Sequence, residues 1–180
     1  MEEEVDILDS KTGNPTGEVR LKKDAHKEGL WHRAVHVWLV NFKGEILLQR
    51  RSENKESHPN MWDISAAGHV SAGEDKVTSA LREIEEEIGL KLSSIDLKQI
   101  GEITQQHVLN NGTFINNEYN SIYLVKTDID IDKFKMQMEE VKDLRWIPIP
   151  EFKKWAEEKR SDLVPHPEEY KLILEYVEKN

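Results

Sequence analysis

Glutamates crowd together at one point of the chain, where four of the five residues from 83 to 87 are glutamate. On an α-helix each residue turns by about 100°, so Glu83, Glu86 and Glu87 would lie within one arc about 100° wide. Like charges at this spacing repel one another, whereas a divalent cation would bind them, since Mg²⁺ and Mn²⁺ prefer oxygen ligands. The spacing therefore predicts a helix that offers carboxylates to a metal ion, and the alternative interpretation is a solvated acidic face.

Apolar residues recur at helical spacing on another side of the same segment, and glycines stand at its ends. The apolar residues form a packing stripe that leaves the carboxylates free to face a cleft; they are Val77, Leu81, Ile84 and Ile88. Gly68 begins a loop, and Gly89 follows the last turn as a helix stop. Residues 68–90 are therefore predicted to form a loop, then a helix from about residue 74 to residue 88, then a second loop.

Residues 68–90 read GHVSAGEDKVTSALREIEEEIGL and match the Nudix box, G-x5-E-x7-R-E-U-x-E-E-x-G-U with U aliphatic, at every fixed position. By this match the chain resembles the Nudix hydrolase family. The resemblance implies an α/β fold, namely an α/β/α sandwich in which a mixed β-sheet lies between helices. It also implies an enzyme that uses Mg²⁺ or Mn²⁺ to hydrolyse the diphosphate bond of a nucleoside diphosphate linked to another group.

The resemblance assigns roles to residues of this box. The Gly68 carbonyl, Glu83, Glu86 and Glu87 would be metal ligands, and Glu83 and Glu86 would also take part in catalysis. Arg82 would hold the glutamate side chains in place as part of the catalytic set. The family has no invariant general base, so the carboxylate that takes the proton from water stays open.

A longer stretch, residues 32–74, is similar to isopentenyl diphosphate isomerase, a Nudix-fold enzyme that moves a double bond and cleaves nothing. Ala67 occupies the place of the isomerase's catalytic cysteine, and the whole chain contains no cysteine. Asn116 replaces one carboxylate ligand of the isomerase's metal, while its other ligand positions are matched by His32, His69, Glu118 and, less closely, His26. Glu118 is thereby a candidate extra ligand or base.

Two alternatives to a hydrolase follow from these resemblances. An isomerase-like enzyme would bind the same kind of diphosphate and metal, but the absent cysteine and Asn116 count against it. A non-catalytic Nudix-fold binding module is the other alternative, and the intact glutamates count against it because such modules typically lose them. Hydrolysis is therefore the favoured reading.

Basic residues stand at the end of a predicted strand, near the expected cleft. Arg50, Arg51 and Lys55 are candidates to bind substrate phosphates, and His69 is a candidate substrate contact. The partner implied is a small-molecule diphosphate, with a nucleotide as the default substrate. Trp62 would either stack a base or fill the core.

The chain has 180 residues, a length typical of one domain, and we expect residues 1–180 to form a single Nudix domain in which residues 1–30 supply strands and a connector. The net charge of −10, from 25 basic and 35 acidic residues, argues against nucleic-acid binding. The absence of cysteine and of an apolar N-terminal stretch predicts a cytoplasmic protein without a membrane span. The family resemblance also leaves a homodimer open.

Turn residues and apolar periodicity predict the remaining elements. Two short strands are expected over 5–21, followed by a connector, and further strands over 32–41, 45–51, 96–109, 118–127 and 141–149. A polar segment, 110–117, is expected to separate two of these strands. Helices are predicted over 151–160 and 166–180, and the last one is given only a packing role.

Overall fold

The computed structural model describes residues 2–179, so residues 1 and 180 of the predicted domain lie outside the described range. The described residues contain nine strands: β1 (Glu4–Leu8), β2 (Pro15–Leu21), β3 (His32–Val40), β4 (Glu45–Arg51), β5 (Trp62–Asp63), β6 (Ala66–His69), β7 (Lys98–Leu109), β8 (Phe114–Lys126) and β9 (Val141–Pro148). They also contain four α-helices: α1 (Lys22–Glu28), α2 (Lys76–Ile88), α3 (Ile149–Glu157) and α4 (Pro167–Lys179). None of the helices in this range is long and apolar enough to cross a membrane.

Seven strands form one mixed sheet around β3. The main order is β5-β4-β3-β8-β7, while β9 pairs with β4 and β6 pairs with β3. β3 runs parallel to β8, and the other pairs are antiparallel. β3 pairs with β4 at Val40↔Ile46, whereas Ala34–Val37 of β3 pair with β6. β1 and β2 form a separate two-stranded sheet, as the prediction of two N-terminal strands requires.

Helices cover both faces of the large sheet. One apolar cluster joins α2 to the face that carries Val35, Val37 and Leu39. The other joins α3 and α4 to the face that carries Trp38 and Val40. Both faces of β3 are therefore buried. The predicted α/β/α sandwich with a mixed sheet is confirmed.

The helix of the box begins two residues later than predicted. The Asp75 side chain accepts hydrogen bonds from the backbone N–H groups of Val77 and Thr78, both at 3.0 Å, and so caps the first turn. Gly89 ends the helix with φ 70°, a left-handed conformation that glycine adopts without strain. The loop-helix-loop expected from the glycines is therefore present.

The second half of the polar segment 110–117 is strand, because the turn between β7 and β8 is shorter than expected. Asn110 and Asn111 have φ values of 51° and 55°, and Gly112 follows with φ 90°. Asparagine and glycine tolerate this left-handed region better than other residues, so the chain reverses within these positions. β8 consequently starts at Phe114 and carries Asn116 and Glu118 within the sheet.

Candidate active site

A cavity of about 280 Å³ opens beside β6, with walls from α2, β3, β8 and the segment before α4. Its α2 wall carries the residues Arg82, Glu83, Glu86 and Glu87. The N-terminal residues also reach this cavity, where Lys22 pairs with Glu3. Every residue that the sequence nominated for the box chemistry therefore faces one space.

Glu83 of α2 and Gly68 of β6 are in close contact where these two elements meet at the cavity. A Cβ atom at position 68 would lie 2.0 Å from the Glu83 carboxyl carbon, so only glycine fits there with Glu83 in this position. Burial raises the pKa of Glu83 to about 8, and the neighbouring Glu87 adds to the rise, although Arg82 opposes it. The contact with Arg82 does not fully offset the burial of this carboxylate, and a cation beside it would favour the ionised form.

Glu87 is almost completely buried, with 3% of its surface exposed. Its Oε2 accepts hydrogen bonds from Gln49 Nε2 at 2.8 Å and from the Ala67 backbone N–H at 3.1 Å. Lys55 lies 3.9 Å from its other oxygen. Burial raises the pKa of Glu87 despite these contacts.

Arg82 is the centre of the acidic network. Its guanidinium donates to Glu83 at 2.7 Å, to Glu86 at 3.2 Å and to Glu74 at 3.2 Å. It also donates to the His69 carbonyl at 3.0 Å, which ties α2 to β6. Glu86 is the open member of the set, since 53% of its side chain is exposed. The arrangement matches the orienting role that the family resemblance gives Arg82.

Three histidines and a glutamate form a second group of candidate metal ligands, which we call the histidine cluster: His26, His32, His69 and Glu118. One ligand atom from each lies within 4.8 Å of the others. The parallel register of β3 and β8 places His32 directly beside Glu118, and His69 Nε2 lies 3.2 Å from Glu118 Oε1. Asn116 Nδ2 donates to Glu118 Oε2 at 2.7 Å, so the neutral amide orients this carboxylate.

The histidine cluster has the donor pattern of a metal site. His32 Nδ1 lies 2.8 Å from the Leu30 carbonyl and His26 Nδ1 lies 3.4 Å from the Ile115 carbonyl, which leaves both Nε2 atoms turned inward. His32 Nε2 is buried and has no hydrogen-bond partner among residues 2–179. Burial and the other two rings lower the pKa of His26 to about 4, which keeps this ring neutral and able to ligate. The cluster therefore fits a divalent cation.

The structure separates the two neighbouring arginines. Arg51 lines the cavity and donates to Asp63 at 3.0 Å, and Lys55 lines it too. Arg50 does not line the cavity, and instead donates to the Asn60 carbonyl at 3.0 Å. Adjacent residues of a strand point to opposite faces, and of these two arginines only Arg51 lines the cavity. Trp62 is 4% exposed and belongs to the core, which removes the base-stacking alternative.

Several polar residues in the cavity escaped the sequence analysis. His36 bonds to Glu169 of α4, and His166 bonds to Asp63 at 3.0 Å. These partners are separated by 133 and 103 residues, so no local spacing could have joined them. A histidine in the middle of an apolar strand, as His36 is, is a sequence feature that could have pointed to this region.

Comparison with known proteins agrees with this geometry. The NUDIX domain model matches residues 30–166. Nudix hydrolase 3 of Arabidopsis thaliana is 42% identical over 168 residues, which are 92% of this chain and 22% of that protein. Isopentenyl-diphosphate Delta-isomerase 2 of Photorhabdus laumondii is 30% identical over 81% of this chain and 77% of its own length.

The solved structures support the same fold. DR0079 from Deinococcus radiodurans aligns with a TM-score of 0.70 at 18% identity and covers 98% of each chain. The chain spans about a fifth of the Arabidopsis relative, so that protein's activity as a whole is not transferred here. A complete box on a cavity wall, a matching domain model and isomerase-like relatives together show that the chain belongs to the Nudix family, near its isopentenyl diphosphate isomerase branch.

Proposed function

We propose that this chain is a metal-dependent hydrolase that cleaves a phosphoanhydride bond in a small-molecule diphosphate. The observation that carries the proposal is the pair Glu83 and Glu87, two buried carboxylates with raised pKa values on the wall of the cavity. Burying such groups together costs stability unless a cation joins them. The tight fit of Gly68 against Glu83 supports the same site.

Two donor sets in the cavity suit different ions. The Gly68 carbonyl with Glu83, Glu86 and Glu87 is an all-oxygen set that suits Mg²⁺ or Mn²⁺. The histidine cluster is rich in nitrogen, which suits a first-row transition ion. A divalent ion supplies charge neutralisation on phosphate oxygens and lowers the pKa of water.

The chain's own residues bind and orient the substrate. Arg82 fixes the directions of Glu83 and Glu86 through its hydrogen bonds. Arg51 and Lys55 contribute positive charge to the cavity for the phosphates, and His69 lines the same cavity. Contacts with His32 and His69 outweigh burial and hold the pKa of Glu118 well below its usual range, so this carboxylate is ionised and brings a negative charge to the histidine cluster.

An isomerase-like activity is the second candidate, because the histidine cluster brings together four of the residues that match the metal ligands of the isomerase. Ala67 carries no group that could transfer a proton, and the chain has no cysteine to replace it. Hydrolysis requires no such group at that position. The proposal therefore ranks hydrolysis first.

The experiment is a release assay with a panel of nucleoside diphosphate compounds and isopentenyl diphosphate, each with Mg²⁺ or Mn²⁺. We expect metal-dependent release of phosphate or a nucleotide from at least one compound, and loss of that release in Glu87→Gln. Glu85→Gln is the matched control, since Glu85 is exposed on the same helix and pairs with Lys91. Formation of the isomer without release would support the second candidate, and silence throughout would support a binding module.

A further inference from the structure

The cavity contains a histidine that the metal sites do not use. His36 lies on β3, where His32, Ala34 and His36 share one face because side chains alternate along a strand. His32 belongs to the histidine cluster, and the small Ala34 lines the cavity between the two rings. At about 3.3 Å per residue, His36 lies about 13 Å along the strand from His32.

Glu169 of the C-terminal helix α4 holds the His36 ring through its Nδ1 atom. His36 Nδ1 lies 2.8 Å from Glu169 Oε2, and Trp38 Nε1 donates to the other oxygen of Glu169 at 2.7 Å. The Glu169 side chain is completely buried, and 7% of the His36 side chain is exposed. Burial acts to lower the pKa of His36, but Glu169 outweighs it and raises the pKa to about 9. The ring is therefore an imidazolium at neutral pH, with an N–H on Nε2.

Several polar groups near His36 are joined in one hydrogen-bond chain, although Asn120 Oδ1 is buried without a partner among residues 2–179. Asn120 donates to Gln105 at 2.9 Å, and Gln105 donates to His166 Nδ1 at 2.8 Å. His166 Nε2 then donates to Asp63 at 3.0 Å, and Asp63 also accepts from Arg51 at 3.0 Å. This hydrogen-bond chain uses both nitrogens of His166, so His166 has no proton left for a ligand.

His36 differs from these neighbours because its Nε2 atom has no hydrogen-bond partner within residues 2–179, while its ring lines the cavity. The His36 side chain is 7% exposed at the cavity, so its charged N–H is open to an acceptor that enters this space. An oxygen atom of a bound ligand would be such an acceptor, and an anionic oxygen would form the stronger, charge-assisted bond.

We propose that His36 is a substrate-binding residue whose Nε2–H donates to a phosphate oxygen, with Glu169 as the residue that positions it. The proposal rests on the proposed function in one respect, namely that the ligand is a phosphate compound. It adds a contact that neither the box nor the isomerase resemblance assigns. It also gives α4, which the sequence showed only as a packing helix, a part in the binding site.

The test measures the binding of inorganic phosphate to the metal-free protein in EDTA. Calorimetry gives the affinity, and ¹⁵N NMR of the histidine rings shows which ring the phosphate contacts. Metal-independent binding separates this contact from the hydrolase proposal, because it needs no turnover. We expect phosphate to shift the His36 Nε2 resonance more than that of His107, which also lines the cavity. His36→Gln should weaken phosphate binding at least tenfold, while the matched control His107→Gln should bind within about twofold of the parent.

Either of two results overturns the proposal: the parent protein fails to bind phosphate in EDTA, or the His36 resonance does not move when phosphate binds. The NMR result stands even if His36→Gln fails to fold, because it uses the unaltered protein. When the hydrolysed compound is known, His36→Gln should raise KM at least tenfold and change kcat by less than about threefold. An equal loss in kcat and kcat/KM would show that His36 acts in the chemical step instead of in binding.

Discussion

Gly68 and Glu83 fit together so closely that the carboxyl carbon of Glu83 lies 2.0 Å from the place where a Cβ of residue 68 would be. The backbone at Gly68 has an ordinary φ, so the reason for glycine is contact and not conformation. The first residue of the box thus makes room for the first glutamate of its helix. The position of the Glu83 carboxylate therefore depends on glycine at residue 68.

Replacing Gly68 by alanine should displace the Glu83 carboxylate. Because a misplacement of about 1 Å in a catalytic site costs on the order of 100-fold, we expect turnover to fall by at least that factor. The measurement is turnover together with Mn²⁺ affinity by calorimetry. A second variant that combines Gly68→Ala with Glu83→Asp should recover part of the Mn²⁺ affinity, because the shorter side chain leaves space for the new methyl group. Full activity of Gly68→Ala would contradict the contact.

Neutralising either of two glutamates should abolish catalysis without unfolding the protein. We expect Glu86→Gln and Glu87→Gln each to lower turnover by on the order of 100-fold or more, since both remove charge from the metal site. In EDTA, Glu87→Gln should be at least as stable as the parent in guanidinium unfolding, because burial disfavours the charged form of Glu87. The exposed Glu85→Gln control should change neither quantity. A Glu87→Gln protein that kept parental turnover would place the metal elsewhere.

The histidine cluster should bind Co²⁺, whose visible absorption reports nitrogen ligation directly. His32→Ala removes a buried ligand atom, so Co²⁺ affinity should fall by on the order of 10- to 100-fold. His107→Ala is the control, because His107 lines the cavity outside the cluster. An unchanged spectrum in His32→Ala would show that the ion binds only to the glutamates of α2.

The ion pair of His36 and Glu169 should make stability depend on pH in alkaline solution. The folded pKa of His36 is raised from 6.5 to about 9, so its contribution is complete below pH 6.5 and is lost as pH rises toward 9. Asp63, Glu118 and His166 also face this ring, and a comparison at each pH of the parent with His36→Gln removes their shared effects. The difference in free energy of unfolding should shrink by on the order of 2 kcal/mol between pH 6.5 and 9. A difference that stays constant over this range would show that His36 is not charged in the folded protein.

Sequence reasoning succeeded where chemistry depends on residues close together in the chain. The direction of the α2 glutamates follows from helical spacing, and the glycines that bound the helix lie within the same 23-residue box. The histidine cluster could be anticipated only through the isomerase resemblance, because His32 and Glu118 meet through the pairing of β3 with β8.

Reasoning from the sequence failed where tertiary contacts decide. Arg50 and Arg51 look equivalent as a pair of cations, yet strand alternation sends only Arg51 into the cavity. From the sequence the last helix is given only a packing role, yet its Glu169 is completely buried and bonded to His36 and Trp38. A charge is seldom buried without a partner, and that partner lies in a different element.

The parallel pairing of β3 with β8 also determines the order of folding and metal binding, because the histidine cluster forms only when these strands pair. His32 and Glu118 become neighbours only after the intervening chain, which includes α2 and β7, has closed a long loop. The unfolded chain has no comparable site, so an ion held by the histidine cluster stabilises the native state alone. The time at which that ion binds during refolding therefore shows when β3 and β8 have paired.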